Sequence, residues 1–310
     1  GIDLGGTTCS FGLLDEQGQL HHEHEIETRQ HDGPDLMLPR LADAAKQVLG
    51  ATKTEVKSVG IGVPGPVKHA DGVCVYAPNL TGWKNLPIGP LLSEKIGLPV
   101  HVLNDANAAA LGEARFGAGR GATDVLVLTM GTGIGSGLIL DGQLRLGASE
   151  RGAEIGHMTV DINDKRGSAG NVGTLESVCG RDAIVWRALR ALTWGRESIL
   201  HETCPDLSEM TPRHLAEAAA QGDDLAKRVW IETASYLAVG IVNVVLTADV
   251  SRVVIAGGVA RVGEPLFEPL RYAVAARTSR LTFDVSQIVP AQLGPKAGLI
   301  GAAQWARERE

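Results

Sequence analysis

One pattern occurs twice in this chain. Asp3-Leu-Gly-Gly-Thr-Thr8 is followed by an apolar run and then by Asp15-Glu-Gln-Gly-Gln-Leu20. Met130-Gly-Thr-Gly-Ile-Gly135 is followed by an apolar run and then by Asp141-Gly-Gln-Leu144. Each copy reads as a Gly/Thr tip, a strand and a second turn. A short Gly/Thr tip between strands gathers backbone N–H groups in a concave bend that suits an anion. Taken alone, either tip is also a tight hairpin whose glycines serve only the turn. Two tips with shared threonines and flanks suggest one polyphosphate held from two sides, and two related lobes facing each other.

Two common phosphate motifs fail. A P-loop needs G-x-x-x-x-G-K-[ST], and no Gly-Lys pair occurs in the chain. A dinucleotide fingerprint needs a third Gly and a following helix. After Gly131 and Gly133 that position is Ser136, and a strand-like run follows. The net charge of −7 argues against a nucleic-acid-binding surface. It also makes a divalent cation and backbone N–H donors the expected means of holding a polyphosphate. Cys9, Cys74, Cys179 and Cys204 are scattered without a C-x-x-C pair, which fits a reducing cytosol rather than a disulfide framework. No signal peptide is visible, and the apolar stretch Tyr236 to Leu246 is too short to span a bilayer. The cytoplasm is the expected location, with no membrane partner. Gly1 falls inside a strand, so a few residues are expected before it.

Strand patterns fall at Ile2–Leu4, Ser10–Leu14, Leu20–Glu27, Val59–Val63, Val73–Tyr76 and Pro99–Leu103. Leu36–Leu49 and the Ala-rich Ala106–Phe116 read as helices. Asp124–Met130 opens the second copy. Helices then dominate: Glu176–Leu192, Thr211–Ala220, Asp223 to about Leu246, and Lys296–Arg307, with a buried strand at Arg252–Ala256. Strands alternating with helices predict an α/β architecture with parallel components. The expected division is a small domain of residues 1–105 plus 296–310 and a large domain of 106–295. A hinge is expected near 104–124 and the terminal helix.

Several polar residues carry two readings each. Asn104-Asp105 ends a strand and opens a helix. Both residues cap helices well, and a carboxylate there could equally act as a general base. Glu154 and His157 are solvated side chains on the surface or a pair suited to sugar hydroxyls. Glu176 near a helix start favours the macrodipole or binds a ligand. Asn79 is a turn residue or a cleft residue. Gly257-Gly258 marks close strand–helix packing or another ligand approach.

Together these segments resemble the ROK family of sugar kinases and repressors, within the actin-like ATPase superfamily. The resemblance covers essentially the whole chain. It rests on Asp3-Leu-Gly-Gly-Thr7, Gly62-Val-Pro-Gly-Pro66, Pro78-Asn-Leu80, Leu103 to Glu113, Gly131-Thr-Gly-Ile-Gly135, Glu154-Ile-Gly-His157 and Ala256-Gly-Gly-Val259. It implies a two-lobed actin-like (ribonuclease H-like) α/β fold with the active site in the interdomain cleft. It also implies ATP-dependent phosphorylation of a hexose, most simply glucose to glucose 6-phosphate. Asp105 then matches the general base. Asn104, Glu154, His157 and Glu176 match sugar ligands, with Asn79 and the Gly65 backbone lining the same cleft. Gly5, Gly6, Thr7 and Thr8, with Gly131, Thr132 and Gly133, would face the ATP phosphates. Gly257 and Gly258 would lie by the adenosine. Mg²⁺ would travel with ATP, oriented through water by Asp3. A homodimer or homotetramer is implied.

Two departures from the family stand out. Where many members carry zinc-binding cysteines after the His, this chain has Gly167, Ala169 and Thr174, so no structural zinc is expected. The first motif often ends in Lys, where this chain has Thr8. Other hexoses (mannose, fructose, an N-acetylhexosamine) and polyphosphate as donor are alternatives. A sugar-responsive repressor or a catalytically silent sugar-binding protein would be a different class. The repressors carry an added N-terminal DNA-binding domain, for which the motif starting at Asp3 leaves no room in this sequence.

Overall fold

The computed structural model describes residues 1–164, 170–279 and 281–310. The first part of the chain runs β1 (Ile2–Leu4), β2 (Thr8–Leu14), β3 (Leu20–Glu27), α1 (Gly33–Gly50), β4 (Val59–Val63), β5 (Val67–Lys68), β6 (Val73–Tyr76), β7 (Lys84–Leu86), α2 (Ile88–Ile96), β8 (Val100–Asn104) and α3 (Asp105–Phe116). The rest runs β9 (Val125–Met130), β10 (Ile134–Leu140), β11 (Gln143–Leu144), α4 (Leu175–Cys179), α5 (Arg181–Thr193), α6 (Leu200–Thr203), α7 (Pro212–Ala220), α8 (Asp224–Ala248), β12 (Arg252–Ala256), α9 (Glu264–Ala275), β13 (Ile288–Pro290) and α10 (Ala297–Arg307).

Among the described residues these strands form two five-stranded sheets, β3-β2-β1-β4-β8 and β11-β10-β9-β12-β13, and a three-stranded sheet β5-β6-β7. In each large sheet the first three strands are an antiparallel meander and the last two join in parallel. Both sheets use their strands in the same order along the chain. The doubled sequence pattern is therefore a doubled sheet, and each Gly/Thr tip is the first hairpin turn of its copy.

The central strands are buried along most of their length: β4 reads Val-Gly-Ile-Gly-Val and is buried at every position. That apolar run suits a strand covered on both faces. The helix α8 is long and apolar enough to cross a bilayer, but most of its apolar stretch is buried inside the protein. It packs against α4, α5, α7 and α9 as the centre of the larger core.

Two helices stand between the large sheets. The helix α10 packs on β4, α3 packs on β9 and β10, and the two helices pack on each other. Small residues set that contact. A Cβ on Gly301 would lie on the Ala108 carbonyl, one on Gly112 on the Ala297 carbonyl, and one on Gly60 on the Ala302 carbonyl. Backbone therefore meets backbone, and a larger side chain would force the elements apart.

The structure departs from the sequence reading at one functional place. The single helix expected over Glu176–Leu192 is two, α4 and α5, broken at Gly180, which takes the extended conformation φ −64°, ψ 159°. A Cβ on Gly180 would lie 2.7 Å from the Thr132 carbonyl oxygen and 2.9 Å from that of Glu176.

Candidate active site

Both tips present open backbone. Gly5 N–H donates to the Thr8 carbonyl at 3.1 Å, which closes the first turn. Gly6, Thr7 and Thr8 are exposed, and a Cβ on Gly6 would meet nothing within 4 Å. In the second tip Gly131 N–H donates to the Gly133 carbonyl at 2.9 Å, and Thr132 is exposed. The break at Gly180 serves this tip: it lets Arg181 N–H, the first of α5, donate to the Gly131 carbonyl at 2.9 Å.

The two glycines after β12 have different jobs. Gly257 has φ +90°, and its missing Cβ would fall on the Met130 backbone. Its freedom is used for that close approach, so the packing reading holds there. Gly258 has nothing within 4 Å of an added Cβ and faces open space. A cavity of about 900 Å³ lies between Gly131-Thr132 and Gly258-Val259, with Arg181, Arg213 and Arg261 in its wall. That volume is within the range of small-molecule and cofactor sites. Three guanidinium groups beside an open N–H tip make a setting for a phosphorylated ligand.

Asn104 and Asp105 occupy the junction of β8 and α3. The Asn104 side chain does cap the helix: its Oδ1 accepts from Asn107 N–H at 3.1 Å. Its Nδ2 donates to the Gly65 carbonyl and to Asp105 Oδ1, both at 3.0 Å. Asp105 Oδ1 also accepts from Ala106 N–H at 2.8 Å. Burial raises the Asp105 carboxyl from 3.8 to about 6; these hydrogen bonds oppose the rise and the nearby Glu154 charge adds to it. The capping role therefore belongs to Asn104, and Asp105 is left as a positioned carboxylate that titrates near neutrality.

The other expected residues gather around it. Glu154 and His157 flank a short 3₁₀ turn, with Glu154 Oε2 4.0 Å from His157 Nε2. The Glu154 carboxyl is raised by burial, lowered by His157 and raised by the Glu176 charge. Glu176 reaches the second tip: its Oε2 accepts from Ile134 N–H at 2.9 Å and lies where a Gly133 side chain would be. Glu176 thus contacts the second tip directly and acts on Glu154 through its charge, a link the sequence did not announce. Gly65, at φ +84°, lies against Tyr76 and Pro78, and the next residue, Asn79, is exposed in that turn.

Asp3 lies beside Asp105. Burial raises its carboxyl from 3.8 to about 7, and the Asp105 charge adds to the rise. Gly298, at the start of α10, supplies the space its oxygens fill. Two neighbouring carboxylates beside the first tip offer the hard oxygens that Mg²⁺ takes. Among the described residues no cluster of three or more His, Cys, Asp or Glu is arranged to hold a metal.

The zinc-loop positions Gly167 and Ala169 lie outside the described residues. Thr174 is buried, and its hydroxyl accepts from Ser177 N–H to cap α4. The ends of this loop are held by a Thr159–Thr174 bridge and by the Tyr236 hydroxyl donating to Asp161 at 3.0 Å. Sequence reasoning missed Gly180 and Gly298, although a lone Gly inside a helical pattern, as at Gly180, is a signal for such a break.

Comparison with known proteins bears on this arrangement. The family model for the ROK family matches residues 1–309. A glucokinase of Thermotoga maritima is 34% identical over 309 residues, covering 100% of this chain and 97% of that protein. A xylose repressor of Caldicellulosiruptor bescii is 30% identical over 97% of this chain and 76% of its own length. The crystal structure of a ROK family glucokinase from Streptomyces griseus, in complex with glucose and AMPPNP, superposes with a TM-score of 0.79 at 33% identity, covering 99% of this chain and 98% of that one.

Proposed function

The chain belongs to the ROK family, and on that premise we propose that it is an ATP-dependent glucokinase that makes glucose 6-phosphate. Its fold is the two-lobed actin-like ATPase fold of that family. The observation that carries the reading is Asp105, held by Asn104 and Ala106 and raised to about 6 by burial. Glu154, a proposed sugar ligand, acts on it through its charge, and Asp3, next to the first tip, is its neighbour.

Asp105 accepts the proton of the glucose 6-hydroxyl as that oxygen attacks the terminal phosphorus of ATP. The new O–P bond forms in line with the breaking bond to ADP, and the proton rests on the Asp105 carboxylate before passing to water. The tip N–H groups meet the charge on the transferring phosphoryl oxygens. Mg²⁺ bound with ATP would supply further charge neutralisation, and Asp3 would orient it through water. Asn104, Glu154, His157 and Glu176 orient the sugar. An intact Asp105 and two open tips favour a kinase over a catalytically silent sugar-binding protein. Family resemblance supports a cytoplasmic homodimer or homotetramer.

A coupled ADP assay with glucose and MgATP tests this reading. Turnover is expected, and Asp105→Asn should lower kcat by about 10²–10⁴-fold. Near-wild-type turnover in Asp105→Asn would remove the base assignment. A panel of hexoses and a polyphosphate donor, compared by kcat/KM, should rank glucose and ATP first.

A further inference from the structure

Glu113 is fully buried in the last turn of α3. A carboxylate there is doubly disfavoured, by loss of water and by the negative end of the helix dipole. Backbone amides from outside the helix compensate it. Oε2 accepts from Ala118 N–H at 2.9 Å, Oε1 accepts from Leu293 N–H at 2.7 Å, and Gln292 N–H lies 3.1 Å from both oxygens. A side chain on Gly117 would fill the space of Oε2. Gln292 belongs to the turn between β13 and α10, and that turn shares a small cavity with Gly257 and Arg261.

The far end of the same helix carries Asp105, eight residues and about 12 Å away. We propose that Glu113 is a positioning residue for phosphoryl transfer: it locks the end of the base-bearing helix to the turn beside Gly257 and Arg261, on the proposed donor side. The inference rests on the kinase reading of the cleft. An apolar side chain would fill the same space without a buried charge. It could not receive amides from two separate segments at once, and so could not fix the angle of α3 against the donor side.

Transfer is far more sensitive to that angle than binding is, because a misplacement of about 1 Å can cost about 10²-fold in rate. Glu113→Gln keeps the shape and removes the charge, so one amide meets an NH₂ group. The expected result, at a temperature where circular dichroism shows both proteins folded, is a fall in kcat of about tenfold or more, with KM for glucose and for MgATP within about threefold. Glu113→Asp, which keeps the charge but shortens the reach, should shift kcat in the same direction, and it serves if the Gln variant does not fold. A lower Tm with kcat per folded molecule within about twofold of wild type would reduce Glu113 to a structural strut and overturn the proposal.

Amide hydrogen exchange decides the coupling without any turnover. Faster exchange at Ala106 and Asn107, as well as at Ala118, Gln292 and Leu293, supports it. Loosening confined to the last three overturns it. If the wild-type protein phosphorylates no hexose, the kinase reading fails on its own, and the exchange measurement still decides whether Glu113 governs the far end of α3.

Discussion

Burial of the Asp105 carboxyl works against stability as the pH rises. Its carboxyl is raised from 3.8 to about 6, so the folded protein keeps a proton that the unfolded chain releases. Below pH 3.8 both states are neutral there and no penalty exists. As pH rises through about 6, folding must carry a buried charge and stability is lost. Asp105→Asn keeps an oxygen for the Ala106 and Asn104 donors and removes that charge. The variant should be more stable than wild type at pH 8, by up to about 3 kcal/mol, and the gain should vanish toward pH 4. Denaturant midpoints at the two pH values check this; equal stability at pH 8 would mean that burial does not penalise the charge. Asp3, raised to about 7, adds to the same trend in the wild-type protein.

At the scale of elements, Gly180 separates α4, which carries Glu176, from α5, whose first N–H holds the Gly131 carbonyl. Gly180→Ala places a methyl group within 3.0 Å of the Thr132 and Glu176 carbonyls. It should cost about 1–3 kcal/mol and raise KM for MgATP more than KM for glucose, because the carbonyl it displaces belongs to the phosphate tip. Equal effects on the two KM values would place the strain elsewhere. The same glycine shows where the sequence stops being readable. The strands of the large sheets were legible because buried central strands are continuous apolar runs, and both tips were legible as a repeat. The break at Gly180 was not, because apolar spacing continues across it and its cause is a carbonyl from a hairpin some fifty residues earlier. Short edge strands such as β5 and β13 have too few residues to show a period. Glu113 was visible only as the last residue of a motif; the amides of Gln292 and Leu293 that explain it are about 180 residues away.

At the scale of the whole molecule, the helices α3 and α10 are the joint between the two large sheets. Their contact is backbone to backbone at Gly112, Gly301 and Ala108, with β4 brought equally close at Gly60. Such a joint resists separation, and the prediction is that the two sheets rotate about it to close the cleft over Asp105. The hinge expected near residues 104–124 and the terminal helix falls on this pair. Closure would exclude water from the transfer step and limit wasteful hydrolysis of ATP. Small-angle scattering should therefore show a smaller radius of gyration with saturating glucose and a non-hydrolysable ATP analogue than with neither. Gly301→Val tests the joint itself. Its side chain would fall on the Ala108 carbonyl and push α10 away from α3, at a cost of about 3 kcal/mol or more. In the folded fraction of that variant the ligand-induced compaction should be lost while each ligand still binds, because neither the tips nor the sugar-ligand cluster lies at Gly301. Full compaction in Gly301→Val would place the pivot outside this helix pair, and an unchanged radius in the wild type would remove closure from the mechanism.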